Sequence, residues 1–362
     1  MTMNNHTIRT YLLTVLLCMM GACLPVHASS GHADEGEPVN IKEIIFDHIG
    51  DAYEWHVATI GDKHISIPLP VIVYSQEKGL NAFLSSHLHH GHSYEGFHIA
   101  TEGDYKGKVV ETLSTGEVKR PMLDLSLTKI AAGIVFNSLL LVTIILCVSR
   151  WYRRREASDD APRGFVGMIE MLIMMVYDGI IKPSVGKDYE RYAPYLLTAF
   201  FFIFLSNLMG LVPIFPGGAN VTGNIAITLV LAICTFLAVN LFGTREYWRE
   251  VLWPDVPMWM KCPVPLMPVI EIFGLFTKPF ALTVRLFANI MAGHSVILAL
   301  VCIIFVTHSM GALISGSMTV VSVLFTIFMN FLELLVAFIQ AYVFTMLSAV
   351  FIGLSRVEHH EK

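Results

Sequence analysis

"VIEIFGLFTKPFALTVRLFANIMAGHSVILALVCIIFV" (residues 269–306) is a nearly unbroken apolar run of 38 residues with Arg285 close to its middle. As an α-helix it would extend about 57 Å at 1.5 Å per residue. The hydrocarbon core of a bilayer is only about 30 Å thick. A second run of the same kind, residues 318–354, follows it. Mismatch of this size demands strong tilt, a kink, or a course partly along the membrane. Gly274, Pro279 and Gly293 supply places to bend.

Composition agrees with a membrane-embedded helical chain. Hydrophobic residues make up 54% and charged residues 15% of the 362, against about 25% charged in ordinary soluble domains. The net charge of −5 comes without a basic stripe, which gives no sign of nucleic-acid binding. No GxxxxGK[ST], CxxC or HExxH pattern occurs, so nucleotide hydrolysis, thiol redox chemistry and zinc peptidase chemistry lack their usual signatures.

Working outward from the two long runs, the N-terminus reads as a leader. Arg9 precedes "YLLTVLLCMMGACL", an apolar stretch too short to span, and "VHA" offers a cleavage site after Ala28. Simple cleavage over residues 1–28 is expected; lipidation of Cys23 is the alternative, for which the residues ahead of it fit poorly. Residues 29–128 are polar and rich in histidine, and should form a small or partly ordered extracytoplasmic segment. Its "HISIPLPVIVYS" (64–75) alternates as a strand does, but the prolines favour an edge strand or a loop.

The membrane domain, residues 129–362, opens with about 20 apolar residues, a spanning length. "RWYRRR" (150–155) follows at once and places that end in the cytoplasm, hence the N-terminus outside. "GFVGMIEMLIMMVYDGIIK" (164–182) carries Glu170 and Asp178 and is expected to lie on the cytoplasmic face or at the bundle edge as an amphipathic helix. Residues 192–244 hold no Asp, Glu, Lys or Arg, and "PGGANVTGN" (216–224) divides them into a hairpin of two spans. The count is five crossings, with a cytoplasmic C-terminus.

Charge inside the membrane is where function concentrates. After Arg285 no Asp, Glu, Lys or Arg appears until Glu333, and after Glu333 none until Arg356. An arginine at mid-membrane costs about 2.5–3.5 kcal/mol on insertion scales. Glu271, Asn289, His294, Gln340 and Asn207 complete the polar set. At about 100° per residue, Glu271 and Asn289 share Arg285's face, His294 points about 180° away, and Glu333 shares a face with Gln340.

A structural reading competes at each position. His294 with Glu333 could be a stabilising pair, and Asn289 and Gln340 could be interhelical glue. Both His294 and Glu333, however, can exchange protons. Arg285 cannot deprotonate, and its candidate partners Glu271 and Glu333 are remote in sequence, which points to a partner on another chain. "SSHLHHGHSYEGFH" (85–98), with five histidines, suggests metal binding, but a solvated loop is the plainer reading. A standalone secondary transporter would show an inverted repeat, and none is visible.

"TKPFALTVRLFANIMAGH" (277–294), "FLELLVAFIQAYVFTMLSAVF" (331–351) and "FIFLSNLMGLVPIFPGGANVTGNIAITLVLAICTF" (202–236) resemble subunit a of the F-type ATP synthase over residues 122–356. The resemblance implies a non-catalytic stator subunit in a bacterial inner membrane. It also implies two inclined helices forming a hairpin against the rotor c-ring, a peripheral stalk of subunit b, and no cofactor. By it, Arg285 matches the arginine facing the rotor carboxylate, with Asn289 and Gln340 as polar neighbours. His294 and Glu333 match the outer half-channel pair, and Glu271 an acid of the cytoplasmic half-channel. One departure stands out. The best-known bacterial members carry glutamate after "AG" and histidine on the last helix; here the two types are exchanged, which implies that they face each other.

Overall fold

The computed structural model describes residues 50–356, except 61–62, 101–102, 104, 113–116, 156–160, 213–216, 253–265 and 308–310. The expected leader with Cys23 lies outside the described residues. The chain divides into two compact units. One holds the described residues up to Val135 with Gly210–Ala219 and Ile297–Ile327; the other holds Phe136–Met209, Asn220–Val296 and the chain from Phe328 onward.

In the first unit the residues ahead of the membrane domain fold as β-structure, where the sequence pointed to one weak strand. The strands are β1 (Glu54–Ile60), β2 (Lys63–Pro68), β3 (Pro70–Ser75), β4 (Gly79–Leu84), β5 (Phe97–Ile99), β6 (Val109–Thr112), β7 (Val118–Lys119) and β8 (Leu123–Asp124). They pair as β1-β2, β4-β3-β8 and β5-β6-β7. The expectation that prolines confine "HISIPLPVIVYS" to an edge or loop is corrected here, because β3 is the central strand of its sheet. The reason is positional. Pro68 ends β2 and Pro70 begins β3, where a missing N–H interrupts no ladder. Tyr53, Val71, Val73, Leu88, Phe97 and Val109 form the core under these strands.

A polar knot stiffens this unit. The Tyr53 hydroxyl donates to Asp124 Oδ2 at 2.6 Å, and the Val109 amide donates to the Tyr53 oxygen at 3.4 Å. Burial pushes the Tyr53 phenol well above its ordinary range, with the Asp124 contact adding to the shift. Burial would likewise raise the Asp124 carboxyl, but hydrogen bonds from Ser126 and Tyr53 and the nearby Arg120 charge hold it below its ordinary value.

The membrane domain is helical. Helix α1 is Lys129–Arg153 and α2 is Phe165–Val176; a π-helical turn, Tyr177–Ile181, and a short turn, Lys182–Val185, lead towards α3 (Tyr189–Leu211). Next come α4 (Ile225–Leu241), α5 (Arg245–Leu252), α6 (Leu266–Thr307) and α7 (Ala312–Leu354). Among the described residues, four helical stretches are long and apolar enough to cross a membrane, or up to five if the bent pair α4–α5 is one span. The segment expected as an amphipathic helix and the following span share one run of helical turns, residues 165–211, which is interrupted at Gly186, where φ of 77° and ψ of −136° lie outside the helical region. Gly179 and Pro183 do not break it. The wide π turn absorbs the irregularity, and Pro183 falls in a first turn, where its missing N–H would be unpaired anyway. Ile169 and Val176 bury against a core with Leu196, Phe200, Leu286 and Ile352.

The two long runs are helices of 42 and 43 residues, α6 and α7, slightly longer than their apolar limits suggested.

Candidate functional site

The candidate residues belong to the second unit and sit mainly on α6 and α7. Helix α6 buries Leu282, Leu286 and Ile290, a stripe at four-residue spacing against the core. Arg285 and Asn289 fall outside that stripe and are exposed on the helix surface, together with Val284 and Ala288. No carboxylate of the described residues lies within ion-pair distance of Arg285. The arginine lines a recess with Thr277, Lys278, Ala281, Leu347 and Phe351. The surface that displays the fixed cation thus carries Lys278, Thr277 and Asn289 among apolar side chains.

The opposite face of α6 carries a different pair. His294 Nδ1 stands 3.0 Å from Glu333 Oε1 on α7, with side-chain exposures of 17% and 3%. The expected facing of imidazole and carboxylate is therefore present. Neither carboxylate oxygen receives a well-directed hydrogen bond among the described residues, although the ring nitrogen is that close. The 3.0 Å separation lies within the reach of direct proton exchange, about 2.6–3.2 Å. Gly293 makes the approach possible. A Cβ at this position would stand 3.0 Å from Glu333 Oε1 and 3.2 Å from its Cδ.

The amides divide. Asn207 is buried and fully used: its Nδ2 donates to the Ala337 carbonyl at 3.1 Å, and its Oδ1 accepts from the Thr222 hydroxyl at 2.6 Å. It ties α3 and the loop before α4 to the middle of α7, a clamping role. Gln340 is buried on α7, as is Glu333, in keeping with their shared face. Glu271 is half-buried near the start of α6, apart from the His294–Glu333 pair and two seven-residue steps before Arg285.

Lys278 escaped the sequence reading. It lines Arg285's recess and an adjoining one formed with Thr235, Asn240, Tyr247 and Leu275, and its Nζ lies 5.6 Å from the Phe351 ring centre. The signal was available, because seven residues before Arg285 is about 20° away on a helix of 100° steps. A hydroxyl chain was not legible: Tyr195 to Thr235 at 2.8 Å and Thr235 to Ser348 at 3.1 Å join α3, α4 and α7. Single hydroxyls on apolar helices carry no spacing signal.

The five-histidine tract lies in the first unit, its first part on a 3₁₀ segment, Ser85–Gly91. His87 stacks on Tyr94 at 4.7 Å. Among the described residues no three His, Cys, Asp or Glu side chains gather as a metal site.

A family model described as ATP synthase A chain matches residues 135–353, which include the whole arrangement of Arg285, His294 and Glu333. The chain belongs to this family. A second model, described only as a domain of unknown function, matches residues 44–125, the β-structured segment. Relatives named ATP synthase subunit a 2 occur in Chlorobaculum tepidum, 42% identical over 66% of this chain and 67% of the relative, and in Prosthecochloris aestuarii, 39% identical over 78% and 87%. ATP synthase subunit a of Myxococcus xanthus is 41% identical over 66% of this chain and 76% of its own length. Membership in the ATP synthase A chain family makes the chain a membrane component of a proton-transporting, ATP-synthesising complex.

Proposed function

We propose that this chain is the stator subunit that supplies two offset aqueous half-channels to the rotor of an F-type ATP synthase in a bacterial inner membrane. A proton enters from outside past His294 and Glu333 and neutralises a carboxylate on the c-ring, which can then face lipid. A carboxylate arriving from the other side releases its proton towards the cytoplasmic exit near Glu271 and pairs with Arg285. Asn289 and Gln340 supply polar neighbours for this transfer, and Lys278 adds a second positive charge beside the arginine. Because a guanidinium holds its proton at any accessible pH, Arg285 blocks direct passage between the half-channels. The N-terminus lies outside and the C-terminus inside, with subunit b holding the stator to the remainder of the complex.

The observation that carries this reading is an exposed arginine within a long, largely apolar helix, without a carboxylate partner among the described residues. Magnitudes fit a reversible contact. An ion pair at 4 Å is worth about 4 kcal/mol at an effective dielectric of 20. One charge crossing 100 mV yields about 2.3 kcal/mol. These are of the same order, so a hydrated pair can form and release as the ring steps. Arg285→Ala in membranes containing the whole complex tests it: proton-driven ATP synthesis should be lost, with passive proton leak increased. Unchanged synthesis would contradict the assignment.

A further inference from the structure

An antiparallel sheet with one face on a core ordinarily shows polar residues on the other. The sheet β4-β3-β8 does not. Val71, Val73 and Ser75 of β3 point inward and are fully buried. The alternate positions of the three strands are aligned by register: Tyr74 stands opposite both Leu80 and Leu123, and Pro70 opposite Leu84. With Leu125, whose amide continues the ladder to the Ile72 carbonyl, these residues form one outward face. Tyr74, Leu80, Leu84, Leu123 and Leu125 are 44–68% exposed, and no position of this face on the three strands is charged.

The same sheet is fastened to the start of α1. The Leu127 amide donates to the Pro70 carbonyl, the Lys129 amide to the Ala52 carbonyl, and the Ile130 amide to Asp51 Oδ1, at 2.8–3.1 Å. Only three residues separate Leu125 from Lys129, where the membrane-long helix begins. Extended chain covers at most about 3.6 Å per residue, so the Leu84 and Leu125 end of the sheet cannot be far from the bilayer interface. An apolar face that includes a tyrosine and continues directly into a span has the chemistry of an interfacial anchor.

We propose that this face of β4-β3-β8 rests in the lipid headgroup and upper acyl region of the leaflet adjoining the start of α1, seating the β-unit on the membrane. The placement rests on the reading of α1 as a span. It gives the segment before the membrane domain a lipid-binding role separate from proton transfer. Charge on this face should lift the unit from the bilayer while leaving its core intact, since Val71, Val73 and Phe97 point the other way.

The test uses the full chain in the assembled complex, reconstituted in liposomes, with the native cysteines replaced by serine. A polarity-sensitive fluorophore is attached singly at Leu80→Cys, Leu123→Cys, Lys119→Cys and Leu139→Cys. Lys119 lies on the separate strand β7, and Leu139 is an exposed residue of α1. Labels at positions 80 and 123 should show blue-shifted emission and lose fluorescence to spin-labelled lipid, but not to aqueous iodide; position 119 should behave oppositely. Iodide quenching at positions 80 and 123 would overturn the proposal, as would shielding from both quenchers, which would assign the face to a protein partner or another part of this chain. Lipid quenching at Leu139 reports the span itself, so failure of that reading is seen separately.

Discussion

Gly293→Ala is the most economical perturbation of the proposed outer channel, because it adds one methyl group and no charge. The new Cβ would lie 3.0 Å from Glu333 Oε1, 3.2 Å from Cδ and 3.4 Å from Cγ. All three atoms belong to the carboxylate arm that holds Oε1 3.0 Å from His294 Nδ1. The arm must therefore retreat by a few tenths of an ångström, or the helices must part. Overpacking of this kind costs about 1–3 kcal/mol. If it falls on the paired geometry, it disfavours that geometry by about 5–150-fold. The assay is proton-driven ATP synthesis and proton pumping by reconstituted complex, normalised to the amount of assembled subunit. Both should fall within that range while assembly is retained. Gly274→Ala is the control: no atom lies within 4 Å of its added Cβ, and alanine is favoured over glycine within a helix by about 0.5–1 kcal/mol. Wild-type turnover in Gly293→Ala, or equal losses in both variants, would refute the reasoning.

Asn207→Ala removes the donor to the Ala337 carbonyl and the acceptor for the Thr222 hydroxyl. The Ala337 carbonyl keeps its helical partner, but the buried Thr222 hydroxyl loses its acceptor, at a cost of about 1–3 kcal/mol, so the extracted complex should unfold at lower temperature, which a melting curve of the solubilised assembly measures. Cysteines at Val284 or Asn289 should react with water-borne thiol reagents in native membranes; complete inertness would count against a hydrated arginine face. Asp124 has a depressed carboxyl pKa in the folded unit, so its stabilising effect is full above the ordinary carboxylate range and is lost as pH falls through the folded value. Tyr53→Phe removes one of the hydrogen bonds responsible and should move acid unfolding of the β-unit to higher pH, as read by amide hydrogen exchange.

Arg285, His294 and Glu333 were legible because intramembrane charge is expensive, so a few polar letters in an apolar run stand out. The lengths of α6 and α7 were equally plain, since run length maps directly onto helix length. Exchange of acid and imidazole between the helices pointed to the contact that His294 and Glu333 make at 3.0 Å. The β-unit was not legible, since strands as short as Val118–Lys119 and Leu123–Asp124 are defined by partners distant in sequence rather than by their own pattern. The prolines around Leu69 misled because their effect depends on where a strand ends, which sequence alone leaves open. The course of residues 165–211 includes a π turn at Tyr177–Ile181, for which no residue spacing gives warning. Lys278 was visible in the letters but overlooked beside a more unusual arginine.

The most direct measurement is the distance from the Arg285 guanidinium to its nearest carboxylate in an experimentally determined structure of the assembled complex. This carboxylate should belong to a rotor subunit and approach to within hydrated ion-pair range, about 4 Å. A guanidinium satisfied by Glu271 or another acid of its own chain, with every rotor carboxylate held out of reach, would contradict it.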